Sequence, residues 1–142
     1  MPTLLMPIDG SEAAARVADA LAARLALYRS PAALHLVNVQ HPVGQDVGQF
    51  VGYDTLQDYH RAEGLKALDG VRATLQAAGH SPQLHVLVGD DPAAAIAGLA
   101  ARLGCDEILM TTHGRGALTK LFLGSVASEV VRLADVPVTL VK

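Results

Sequence analysis

The chain has no tryptophan, one cysteine and very few aromatic residues, with three tyrosines and two phenylalanines among 142 residues. A lone thiol at Cys105 closes no internal disulfide, so a disulfide scaffold is excluded and a reducing, cytoplasmic setting is expected. Scarce aromatics leave Ala, Leu and Val to build the core. Basic residues do not predominate either: 11 Lys and Arg stand against 14 Asp and Glu, for a net charge of -3, and no basic cluster occurs. That balance gives no footprint for a nucleic-acid backbone or an anionic membrane, and leaves small ligands and proteins as partners. No apolar run reaches the length of a membrane span. The opening Met1-Pro-Thr-Leu-Leu-Met-Pro7 lacks a basic region and a cleavage site, and Pro7 and Asp9 interrupt it, unlike a signal peptide. The expectation is a single domain over 1–142, large enough to be stable without metals or disulfides.

What is present alternates between two periods. Residues 3–8 form an apolar run, and after Asp9-Gly10-Ser11 a helical stripe follows at Val17, Ala20, Leu21 and Leu25. Pro31 breaks the chain before a second strand over 34–39. Residues 40–54, with Gly44, Gly48 and Gly52, read as a loop. Leu65, Leu68, Val71 and Leu75 mark a second long helix, weakened by Gly64 and Gly70 and ended by Gly79, before a strand over 84–88. Asp91-Pro92 pairs an N-cap with the residue best tolerated at the first helical position; Ile96, Leu99, Ala100 and Leu103 face inward, and Gly104 stops that helix. A strand over 106–110 follows, then a helix with Val126, Val130 and Leu133 at helical spacing and Ser125 as its cap. The last strand, Val136-Pro-Val-Thr-Leu-Val141, carries Pro137, which confines it to a sheet edge or a strand start. Five mostly apolar strands alternating with four helices predict an α/β fold, a doubly wound parallel sheet with helices on both faces and right-handed crossovers. Ligands of such sheets bind beyond the strand C-termini, where Asp9, Gln40 and Gly114 lie.

The segment Thr111-Thr-His-Gly-Arg-Gly-Ala-Leu-Thr-Lys-Leu-Phe-Leu-Gly-Ser125 joins a strand to a helix through a glycine-bearing loop. Free N–H groups and the positive end of the dipole at the helix start favour an anion, and Gly124 presents no Cβ to hinder its approach. The same spacing also fits a plain tight connection. A Walker loop is absent, and Thr119 stands where a dinucleotide fingerprint wants its third glycine.

His113-Gly114-Arg115, Leu121-Phe-Leu-Gly-Ser125 and Val136-Pro-Val-Thr-Leu-Val141 resemble the C-terminal half of the universal stress protein family. Met6-Pro-Ile-Asp-Gly-Ser11, Leu36-Val-Asn-Val39 and Gly89-Asp-Asp-Pro92 are similar to its first strand and turn, its second strand, and the turn into its third helix. The resemblance implies a Rossmann-like, adenine nucleotide alpha hydrolase-like fold. It also implies a homodimer through antiparallel pairing of strand 136–141, and binding of ATP, ADP or AMP with Mg or Mn held through the phosphates. Of the family's motif, Gly, two residues, Gly, nine residues, Gly and Ser or Thr, this chain supplies Gly114, Gly124 and Ser125, with Thr111 in place of the first glycine. The resemblance further places Asp9 on the nucleotide, the Val39 backbone on adenine, Pro7 and Met110 in the pocket wall, and Val126 beside the phosphate loop. Asp9 can equally form an Asx turn with Ser11. Thr111 either blocks close approach or offers its hydroxyl to a phosphate. Arg115 either clamps phosphate oxygens or stays solvated, and His113 either bonds a phosphate or serves as a polar turn residue.

No catalytic or metal set emerges. His35 and His85 lie in separate strands, His41, His60 and His80 are scattered, and no nucleophile elbow occurs. The loop holds no Glu or Gln to orient water, so slow ATP hydrolysis is the upper limit. Two functions follow: a nucleotide-binding stress-response switch, or a dimerisation and protein-interaction module that has given up the nucleotide, with Thr111 in its favour.

Overall fold

The computed structural model describes residues 1–11, 18–44, 52–111 and 124–141. Its strands are β1 (Thr3–Pro7), β2 (Ala33–Gln40), β3 (Gln83–Val88), β4 (Glu107–Thr111) and β5 (Val138–Val141). They form one parallel sheet in the order β3-β2-β1-β4-β5. Among them run helices α1 (Ala18–Leu25), α2 (Tyr53–Ala77), α3 (Pro92–Leu103) and α4 (Ser125–Leu133). Successive strand side chains point to opposite faces, so the apolar runs feed two cores. Leu4, Met6 and Leu36 pack against Leu21 of α1 and Leu68 and Leu75 of α2. On the other face Leu5, Val37 and Ile108 meet Ile96 and Leu99 of α3 and Val130 of α4. Strand order reverses about β1, which places a switch point at its carboxyl end.

Local signals account for most boundaries. The Asp91 carboxylate accepts a hydrogen bond from the Ala94 N–H at 3.1 Å and caps α3, and Gly104 ends that helix in the left-handed conformation at φ +64°. Beyond shifts of one residue at strand ends, three departures from the sequence reading have a physical reason. Helix α2 begins at Tyr53, inside the segment read as a loop, and continues through both of its glycines. At Gly64 the reason is contact: an added Cβ would stand 2.4 Å from a Val86 methyl. Ser125 is not the cap of α4 but its first helical residue. Gly124 is the cap, and its carbonyl already accepts the Ser128 N–H, which starts the helix without any side-chain bond. Strand β5 begins at Val138 rather than Val136, because Pro137 has no N–H to give the ladder; its carbonyl instead accepts from Ile108. Val17 lies outside the described residues.

Candidate functional site

A crevice of about 780 Å³ opens at the carboxyl ends of β1, β2 and β4. Pro7, Val39 and Met110 line it and share the sheet face of Leu5 and Val37, where Ile96 of α3 and Ala127 of α4 complete an apolar floor. Beside that floor stand Asp9 and Thr111, at the exits of β1 and β4, and the first turn of α4 with Gly124, Ser125 and Val126. A helix start leaves its first N–H groups without intrahelical acceptors, and among the described residues a Cβ added at Gly124 would meet nothing within 4 Å. The Asp9 carboxylate accepts the Ser11 N–H at 2.9 Å. The Asx turn therefore exists, and Asp9 lines the crevice as well. His113, Gly114 and Arg115 lie outside the described residues.

Two parts of the wall escaped the sequence reading. Asn38, nearly fully buried, donates through Nδ2 to the Ile8 carbonyl at 2.8 Å and accepts from Gln40 Nε2 at 2.6 Å, tying the exits of β1 and β2 together. Helix α2 contributes His60, Glu63, Lys66 and Ala67. It is drawn onto the Asp9 turn by Gly10, whose φ of +76° suits glycine and whose added Cβ would stand 2.8 Å from that of Ala67. The available signal was the buried stripe Gly64, Leu68, Val71, Leu75, which extends back one turn to His60. Away from the crevice, at the base of β2, His35 Nδ1 and His85 Nε2 stand 2.9 Å apart. Burial lowers the pKa of both rings, and His35 lowers that of His85 further. Among the described residues no group of three or more His, Cys, Asp or Glu is arranged to hold a metal ion. Cys105 is buried, its thiol pushed up first by burial and then by Asp106, which suits packing rather than thiolate chemistry. No described helix is long and apolar enough to cross a membrane.

The same architecture and sequence pattern occur in known proteins. The family model for the Universal stress protein family matches residues 1–142. A universal stress protein of Thermus aquaticus, encoded in the QAH/OAS sulfhydrylase 3' region, is 33% identical over 141 residues, covering 99% of this chain and 98% of its own. A hypothetical protein solved as a test case of structural genomics superposes with a TM-score of 0.80 at 25% identity, over 99% of this chain and 95% of that one. A universal stress protein solved in complex with cAMP shares the fold at a TM-score of 0.70 and 23% identity, covering 99% and 97% of the two chains.

Proposed function

The chain belongs to the universal stress protein family, and from that premise we propose that it acts as a single domain over 1–142 that binds ATP, ADP or AMP as a cytoplasmic stress-response switch. One observation carries the reading: the crevice brings an apolar floor, a carboxylate and a helix start together in one lining. The adenine packs over Pro7, Val39 and Met110 and bonds the Val39 backbone, while Asp9 accepts from the ribose hydroxyls. The phosphates meet the N–H groups of Ser125 and Val126 beside Gly124, with His113, Gly114 and Arg115 as the further contacts that the family motif implies. Mg or Mn would be held through the phosphates. The structure solved with cAMP, and family members solved with dAMP and with AMP, support an adenine nucleotide as the ligand class. Binding rather than turnover is the assigned role. The chain pairs as a homodimer through the β5 edge, and its conformational response is read by a protein partner.

Thr111 favours a second reading, a dimerisation module without nucleotide, because a β-branched side chain stands on the crevice wall where the family's motif has glycine. Mass spectrometry of the denatured protein for carried-over nucleotide, followed by isothermal titration with ATP and Mg, separates the two. Micromolar binding or co-purified nucleotide is expected, and silence in both supports the second reading. In the binding case Gly124→Val reduces affinity at least tenfold while the fold persists, since a Cβ there meets no other described residue within 4 Å. Unchanged affinity in that variant would remove the helix start from the site.

A further inference from the structure

The buried stripe of α2 consists of His60, Gly64, Leu68, Val71 and Leu75. His60 differs from the other four in two ways: it is polar, and it lines the crevice while they do not. Only 6% of it is exposed. Its Nδ1 is sealed from solvent and has no hydrogen-bond partner among the described residues. A neutral imidazole carries one N–H, and a buried N–H without an acceptor is costlier than a buried lone pair, so the proton belongs on Nε2. An edge-on contact with Tyr59, ring centroids 5.5 Å apart, helps hold the ring. An apolar residue would fill this stripe position without leaving a polar atom unsatisfied, so the histidine calls for an explanation beyond packing.

Resting on the nucleotide-binding reading above, we propose that His60 is a specificity-determining residue whose Nε2–H donates a hydrogen bond to an acceptor atom of the nucleoside part of the bound nucleotide, a ribose oxygen or a purine nitrogen. Position in the sheet selects the nucleoside over the phosphates. Helix α2 packs on β2 and β3, whereas the Gly124–Ser125 helix start follows β4, on the far side of β1. Strands two places apart lie about 10 Å from one another, which separates the two ends of a nucleotide. Gln40 and His41, at the exit of β2 next to Val39, share the crevice with His60. Glu63 and Lys66 continue the same wall toward the Asp9 turn, and neither is in an ion pair among the described residues.

The test is calorimetric titration of adenosine and of AMP into the wild-type chain and three variants. His60→Leu is expected to lose at least tenfold in affinity for both ligands, and equally for both, because the lost contact is to the nucleoside. His60→Gln, whose amide nitrogen can reach the Nε2 position, stays within about threefold, whereas His60→Asn, whose amide reaches only the Nδ1 position, falls with the leucine variant. A long-range imidazole nitrogen spectrum of the wild-type chain, which needs no variant to fold, should show the Nε2–H tautomer and an Nε2 resonance that moves on adding AMP. Wild-type binding with an equally tight leucine variant overturns this inference alone, as does an Nδ1–H tautomer. A wild-type chain that binds neither ligand overturns the nucleotide reading and this inference with it.

Discussion

At the scale of single residues, two glycines of α2 give opposite expectations for the same added methyl group. A Cβ at Gly64 would stand 2.4 and 2.6 Å from the two methyls of Val86, and 3.0 Å from its Cβ, so the helix would have to move off β3. Gly64→Ala should therefore destabilise by about 1–3 kcal/mol despite alanine's better helix propensity. Gly70 is exposed and a Cβ added there would meet nothing within 4 Å among the described residues, so Gly70→Ala should stabilise by about 0.5–1 kcal/mol through propensity and a less flexible unfolded chain. Urea denaturation of both variants checks this, and a stabilised Gly64→Ala would mean that the Val86 contact does not limit the approach. In the sequence both glycines read as helix weakeners, because propensity is local while the contact with Val86 is made across a chain separation that no local pattern encodes. Asp9 was more legible: its turn with Ser11 and its place at the mouth of the crevice both follow from a strand ending in Asp-Gly-Ser.

Between elements, the pairing of β2 with β3 creates a site that neither strand shows alone. In their register His35 faces Gln83 and Val37 faces His85, which makes the two histidines diagonal neighbours on one face, with one ring donating to the other. Burial disfavours their charged forms and sets both folded-state pKa values below the ordinary 6.5. The unfolded chain then takes up protons first as pH falls. The stabilisation is complete above about 6.5 and is lost as pH drops below it toward the folded-state values. Unfolding free energy measured from pH 7.5 down to 5 should decline through this window, and His85→Gln should make the decline shallower. An identical slope in the variant would show that other groups carry the acid sensitivity. The cap of α4 belongs to this scale too. A serine before a helical stripe is the usual cap signal, but the extended backbone at Gly124 moves the start one residue earlier and leaves Ser125 at the first helical position, its N–H among those that have no intrahelical acceptor.

For the molecule as a whole, the sheet order leaves β3 and β5 at the edges, and β5 is the one that the proposed homodimer would pair. Leu140 on β5 is 40% exposed, so apolar surface lies on that edge strand. Leu140→Lys places a charge there without entering the buried layer, and sedimentation should then show monomers where the wild-type chain sediments as a dimer; an unchanged dimer would assign the contact to another surface. The sequence by itself determined the class of fold, because alternating strand and helix periods with strands apolar on consecutive positions can be satisfied only by a parallel sheet covered on both faces. It also determined which turns face the ligand end, since those turns follow strands directly. The tertiary structure alone decided what α2 brings to the crevice and which two histidines meet on the sheet. Both depend on strand order and helix packing, which bring together residues far apart in the chain, whereas sequence periodicity reports only which face of each element is buried.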